Sequence, residues 1–465
     1  MERMENFERN LRFVTSLIML TLDKILVGIV VPLITQWEWA LATDSYVGES
    51  EGDAEIQNTS LLSAAVNDTS AAPRHQMKAS PKLTVIFLAY SSLEFILTPI
   101  SGYLGDKYGL DCVAIAGVLL AGTISILYAF LSSLPGILIA RLLQGASTAF
   151  LSPTAFARLA EAFSDDADAT RRVMTCAMAT SMFSFLGPGL AGITFQYFGP
   201  VPCFMSILAI SVVVFIGIAI TFRFNGNISA NNLSQDHLDS TESLDLKPPV
   251  TLLDVLKDHQ IQAAVILFTA AWLPRTFLEP TLSIWISNTF NGGGPALSGA
   301  IWGTAGLSVV ASSVITSFVA IRKPDHIWLF GLVNIFAAGL PLVLLSQSTH
   351  PAMAAVCFST CIYLSFCARN TLICMYKSIT DSKFRGSYAL VMGIFHFGFT
   401  LPYIIGAPVA IPLFNTVGFE LMCIVVAGLV WASCPLFLCF RTSSNTNEED
   451  EQDRLIQDNG VSSMK

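Results

Sequence analysis

Apolar runs long enough to cross a bilayer recur twelve times along the chain. They fall at roughly 13–36, 83–105, 112–132, 135–160, 173–197, 201–222, 261–287, 297–321, 327–346, 351–376, 387–411 and 416–440. A spanning helix needs about 18–20 such residues. Two long polar insertions interrupt the series, 37–82 and 223–256, and the second divides the runs six and six. The pattern predicts an all-α membrane protein with twelve transmembrane helices in two six-helix halves, 13–222 and 261–440. An N-terminus (1–12), a central link (223–260) and an acidic tail (441–465) complete it. The first run is not a cleavable signal: it is long, it holds Asp23 and Lys24, and no small-residue cleavage site follows. Both insertions and the tail read as flexible.

Lys and Arg placement sets the expected orientation. Of the 25 such residues, Arg74, Lys78 and Lys82 fall in one loop on the far side, and Lys24, Arg141, Arg275 and Arg369 lie inside spans. The rest sit on the side of the N-terminus, which predicts cytoplasmic termini. The acidic 37–82 loop then faces the lumen or exterior, where its sequons Asn58-Thr-Ser and Asn67-Asp-Thr are glycosylation candidates.

Composition agrees with the pattern. Charged residues make up 13% of the chain, against about 25% in soluble proteins, and mean hydropathy is +0.61. A net charge of −9 offers no footprint for nucleic acid. The ten cysteines mostly lie in apolar runs without metal-ligand spacing, so neither a disulfide nor a metal site is expected. A P-loop, an HExxH motif and a nucleophile–base pair on a soluble domain are all missing, which disfavours an enzyme.

Three motifs appear in order. The turn after span 2 reads Gly102-Tyr-Leu-Gly105-Asp106-Lys107-Tyr-Gly109, span 4 holds Arg141-Leu-Leu-Gln144-Gly145, and span 5 holds Leu186-Gly187-Pro188-Gly-Leu-Ala-Gly192. Together they resemble the major facilitator superfamily. The resemblance makes the first a cytoplasmic gate, with Asp106 bonding across the halves, and the third an antiporter motif of tight packing around a bend. Where that family continues with basic residues, Leu110 and Asp111 follow here. Over essentially the whole chain the sequence is similar to the vesicular amine transporters, which load monoamines or acetylcholine. The similarity is carried by Leu22-Asp23-Lys24-Ile-Leu and Val30-Val-Pro32 in span 1, the long sequon-bearing first loop, and Thr251-Leu-Leu-Asp254 before span 7. Leu278-Glu279-Pro280-Thr-Leu-Ser-Ile-Trp285 in span 7 and a tail, Glu451-Gln-Asp-Arg-Leu455-Ile456, like an acidic dileucine sorting signal, complete it.

Ionisable residues within a bilayer cost a few kcal/mol or more each and mark functional paths. The set here is Asp23, Lys24, Glu94, Arg141, Arg275, Glu279, Arg369 and His396. They are expected to line a central aqueous cavity between the halves. The resemblance makes Asp23 the partner of a substrate amine and Glu279 the family's span-7 glutamate. Each also has a structural reading: an ion pair for Asp23, core organisation for Arg141, and a salt bridge to Arg275 at i,i+4 for Glu279. The sequence departs from the family in three spans. Tyr90 stands where the family has a span-2 lysine. Aligned on Asp381, Arg369 and His396 replace the carboxylates of spans 10 and 11. An arginine cannot release its proton, so Arg369 cannot shuttle one and is expected to clamp a carboxylate or phosphate, or to pair with Asp23 or Glu94. A histidine titrates near neutrality, which suits His396 to proton coupling. Trp272, Phe277, Trp285, Tyr363, Phe395 and Phe397 are candidate cation–π surfaces.

The expectation is a monomeric proton-coupled antiporter that works by alternating access. It loads a small neurotransmitter-like solute, amine or zwitterion, into secretory or synaptic vesicles. Its energy source is the proton gradient, it needs no cofactor, its surroundings are membrane lipid, and a sorting adaptor reads the tail. A plasma-membrane exporter of drugs or metabolites and a non-transporting sensor or scaffold stay open.

Overall fold

The structure is a computed structural model. It describes residues 2–47, 81–131, 133–163, 167–198, 200–239, 251–290, 295–384 and 387–440. Asn58, Asn67, Glu451, Leu455 and Ile456 lie outside the described residues.

Among those residues every regular element is helical. The first half comprises α1 (Glu2–Val47), α2 (Pro81–Tyr108), α3 (Leu110–Phe130), α4 (Leu134–Ala162), α5 (Ala167–Ala179), α6 (Phe183–Phe198) and α7 (Pro200–Asp239). The second comprises a short α8 (Leu252–Lys257), then α9 (His259–Thr289), α10 (Pro295–Arg322), α11 (Ile327–Ser346), α12 (Pro351–Lys383) and α13 (Tyr388–Ser433). Helices α5 and α6 form one span, broken by a 3₁₀ turn at Thr180–Met182. Helix α13 supplies two spans, because Gly418 (φ 84°) turns the chain back with a backbone only glycine adopts readily. The twelve apolar runs thus become twelve spanning segments. Eight helices among the described residues meet a length-and-hydropathy test for crossing a membrane, α13 counted once.

Two segments expected to be flexible are partly helical. Helix α1 continues past residue 36 to Val47; after Pro32 no glycine or proline interrupts it before Gly48. Helix α7 runs to Asp239, and α8 follows. The Thr251-Leu-Leu-Asp254 motif is a capping box. Thr251 Oγ1 accepts from the Asp254 amide, and the Asp254 carboxylate accepts from the Thr251 amide at 3.0 Å. The Thr251 hydrogen bonds hold Asp254 below the usual carboxylate range.

Helix α2 packs on α4 within its half and on α13 across the halves, and α5 and α6 pack on α10. Every residue of α9 from Ala271 to Leu282 is buried, as is α12 from Ser365 to Cys374. A helix enclosed on all sides belongs to the middle of a bundle. The charges on α9 and α12 are therefore held at the contact between the halves.

Candidate functional site

In the first half Asp23 is satisfied within the chain, whereas Arg141 keeps Nε and Nη2 without acceptors. Asp23, 2% exposed, receives Lys24 Nζ at 2.7 Å and Thr148 Oγ1 at 2.6 Å, with Ser152 Oγ at 3.4 Å. Both carboxylate oxygens are engaged within the chain, so Asp23 sits in the ion-pair arrangement and presents no free oxygen to a solute. Arg141 donates to Gln144 Oε1 at 3.1 Å, which also accepts from Tyr128. It lies over the rings of Phe87 and Tyr90 and organises the core of this half.

Sequence reasoning missed a further pair. Arg158, 1% exposed, pairs with Asp111, and its Nη2 reaches Thr15 and Thr221, joining α4, α3, α1 and α7. Arg158 falls inside the fourth apolar run, so it is a buried cation and not one of the residues that set orientation. The signal was Asp111, an acid where the family places bases.

Where the halves meet, satisfaction fails. Glu94 on α2 is fully buried and has no hydrogen-bond partner for either oxygen; His396 Nε2 on α13 lies 3.6 Å from it. Arg369 is fully buried. Its Nη2 donates to Ser181 Oγ at 3.3 Å, while its Nε and Nη1 find no acceptor. The guanidinium is packed among rings instead, 3.8 Å from Phe366, 4.4 Å from Trp272 and 5.6 Å from Phe399. No ion pair joins it to Asp23 or Glu94. Arg275 shares the Trp272 ring at 4.9 Å, donates to Ser184 Oγ at 2.8 Å and stands 3.6 Å from Glu279. The i,i+4 salt bridge is therefore present.

Ser181 lies in the break between α5 and α6, and Ser184 just after it. Departure from regular α-helix often marks a hinge, and this one offers hydroxyls to Arg275 and Arg369 of the other half. Neither serine stands out in sequence, because only the fold places it opposite an arginine. A cavity of about 20 Å³ lies here, room for about one water. Of the eight charged candidates it is lined by Lys24, Arg369 and His396, with Ser152, Ser181 and Phe399. Asp23, Glu94, Arg141, Arg275 and Glu279 are not in its wall. Phe399 ties the wall together: His396 stacks on it at 4.8 Å and Lys24 Nζ lies 5.0 Å away.

The Gly102–Gly109 motif bonds across the halves at the Lys/Arg-rich end. Asp106 accepts from the amides of Ala389 (3.1 Å) and Leu390 (2.9 Å), in the first turn of α13. Ser387, the residue before that helix, makes no side-chain cap of its own. Asp106 thus caps a helix of the opposite half, where free amides and the helix dipole favour an anion. Gly102 makes the approach possible: a Cβ there would lie 2.6 Å from the Ala389 carbonyl oxygen. Gly105 also faces Ala389, Gly109 closes the turn into α3, and Lys107 lies over Tyr103 and Tyr108. In the Leu186–Gly192 motif, a Cβ on Gly187 would meet the Cα of Gly28 at 2.8 Å, so α6 and α1 touch backbone to backbone. Pro188 and Gly192 lie in the same helix.

Known proteins place this architecture. The chain is 22% identical to the vesicular acetylcholine transporter of Rattus norvegicus, over 97% of its own length and 86% of the relative's. It is 23% identical to the probable vesicular acetylcholine transporter-B of Danio rerio, over 89% and 75%. Among solved structures, the human organic anion transporter MFSD10 superposes with a TM-score of 0.67 at 16% identity, covering 92% of this chain and 99% of that one. That superposition establishes the fold. The sequence model of the Major Facilitator Superfamily matches residues 58–407, and the chain, a multi-pass membrane transporter, belongs to that family.

Proposed function

We propose that the protein is a proton-coupled antiporter, driven by a proton gradient, that loads a small organic solute, amine or zwitterion, into secretory or synaptic vesicles by alternating access. The observation that carries this reading is the Glu94–His396 pair, which bridges α2 and α13 at 3.6 Å with unpartnered atoms on both sides. Buried polar groups are normally bonded, and a pair left open between two moving halves is a place to put a proton. Protonated His396 beside Glu94 makes an ion pair that draws the halves together at this level. Loss of that proton leaves a lone buried carboxylate and favours their separation. Lys24 and Arg369, in the same wall as His396, supply the remaining nearby charge. The vesicular relatives support the compartment, and the placement of Lys and Arg supports cytoplasmic termini.

The test is solute uptake into acid-inside vesicles, with and without a proton uncoupler, for the wild type, Glu94→Gln and His396→Ala. Uptake should fall with the uncoupler and in both variants. Uptake indifferent to the gradient removes the antiport reading, and wild-type protein confined to the plasma membrane removes the vesicular one.

A further inference from the structure

The wall of the central cavity is one-signed. Its charged members are Lys24 and Arg369, with His396 beside them, and no carboxylate lines it. Lys24 is already paired with Asp23 at 2.7 Å, so Arg369 holds the uncompensated charge. Its free Nε and Nη1 are both fully buried and lack acceptors. Its one polar partner, Ser181 Oγ at 3.3 Å, is neutral and belongs to the opposite half. A guanidinium presents paired N–H groups in a plane that matches the two oxygens of a carboxylate. The rings of Trp272, Phe366 and Phe399 hold that plane in place, and Nε and Nη1 stay unmet on either side of Nη2, so either completes a two-donor edge with Nη2 once Ser181 lets go. The acid that the second half does possess, Glu279, stands 3.6 Å from Arg275. In the first half, Asp23 has its oxygens engaged. A cationic solute entering this cavity meets two fixed positive charges and no free acid in the wall.

We infer that the cavity takes an organic anion, a carboxylate on an apolar body, with Arg369 as its anion-binding group. The inference rests on the transport reading above and departs from its solute class at one point: the carboxylate is required, so a zwitterion or a simple organic anion fits and a simple amine does not. The cavity of about 20 Å³ is the closed form of the site. When the halves separate, Ser181 withdraws and the carboxylate takes its place on the guanidinium. The aromatic side chains, Phe399 and Trp272 first among them, receive the apolar body. A zwitterion fits by the same anchor, its ammonium group directed to the unpartnered oxygens of Glu94. A simple amine has no such anchor.

The experiment uses the full chain in nanodiscs and matched probes on three bodies: 3-phenylpropionate against phenethylamine, indole-3-acetate against tryptamine, and hexanoate against hexylamine. Tryptophan fluorescence reports binding, since Trp272 lies beside Arg369, and a thermal shift provides a second readout. At least one carboxylate should bind about tenfold or more tightly than its matched amine, the scale of one charged hydrogen-bonded contact. Arg369→Lys, which keeps the charge and loses the fork, should weaken that carboxylate by a similar factor. Ser181→Ala, which removes only the hydroxyl on the guanidinium, should leave carboxylate binding equal or tighter. Tighter binding of the amines, no binding in either series, or a folded Arg369→Lys protein with unchanged carboxylate affinity each overturns the inference. If Arg369→Lys does not fold, the wild-type preference decides alone. Gradient-driven amine uptake without carboxylate binding sinks the anion site and leaves the transporter. Carboxylate binding with gradient-independent movement leaves the site and sinks the antiport.

Discussion

Arg158 and Arg369 are both buried to within 1% of full enclosure, and the protein treats them in opposite ways. Arg158, in the first half, is answered by Asp111 and by the hydroxyls of Thr15 and Thr221, each from a different helix. Arg369, between the halves, is answered by aromatic rings and a single serine. Carboxylates repeat the contrast: Asp23 has both oxygens bonded, while Glu94 has neither. A buried ion stripped of its partner costs several kcal/mol. The site between the halves therefore carries buried charge that the chain itself leaves unanswered, while Arg158 and Asp23 are each tied into helix-to-helix bonds.

The largest effect should come from breaking the satisfied side. Asp111→Asn leaves Arg158 buried against a neutral partner and should cost about 3–5 kcal/mol, the usual penalty for orphaning one member of a buried pair. Thermal unfolding in detergent measures it. Replacing both residues, Arg158→Met with Asp111→Leu, should recover most of that loss, because well-packed apolar residues often equal a buried pair. Arg369→Met removes a charge with no acid beside it, so stability should stay level or rise while carboxylate binding disappears. A large fall in the unfolding temperature for Arg369→Met would break the comparison.

Next in size is the latch. Asp106→Ala frees the Ala389 and Leu390 amides and removes a charged acceptor from the first turn of α13. Hydrogen bonds to charged groups contribute about 1.5–3 kcal/mol each. The two ends of the transporter should therefore shift by about 2–3 kcal/mol toward opening at the Lys/Arg-rich end. Labelling of a cysteine introduced near Ala389, in a background where the exposed Cys112, Cys176 and Cys439 are replaced, reads the change. Asp106→Asn keeps one acceptor oxygen and should fall between wild type and alanine.

Much of this was legible before any coordinates. The apolar runs mark two spans where α13 is one helix kinked at Gly418, because one run ends at 411 and the next begins at 416, with Pro412 and Asn415 between them. The eight deep charges stood out for the same reason: an ion is conspicuous in an oily run. Which of them are satisfied was not legible, since that depends on partners far away in sequence. Thr148 and Ser152 are 125 and 129 residues from Asp23, and Ser181 is 188 residues from Arg369. Serines and threonines on a hydrophobic helix carry no pattern of their own. Phe366 and Phe399 stayed hidden among 32 phenylalanines. The i,i+4 pair of Arg275 and Glu279 was the exception, because helix geometry alone brings it together.

The smallest effect tests whether burial, and not pairing as such, sets the scale. Lys383 at the end of α12 reaches Asp258 at 2.6 Å, and the two side chains are 37% and 17% exposed. Its geometry is as good as that of any buried pair here, yet water and salt screen it. Lys383→Ala should therefore cost less than about 1 kcal/mol, falling toward zero as ionic strength rises. Asp258 does a second job: it accepts from the amides of Gln260 and Ile261 and so caps α9. Asp258→Ala removes both the pair and the cap and should cost about 1 kcal/mol more than Lys383→Ala, with that extra part insensitive to salt. Thermal unfolding of the two variants at low and high salt separates the contributions. If Lys383→Ala matched Asp111→Asn, the contrast between Arg158 and Arg369 would have to be explained by helix tethering, since the shielding from water would no longer distinguish them.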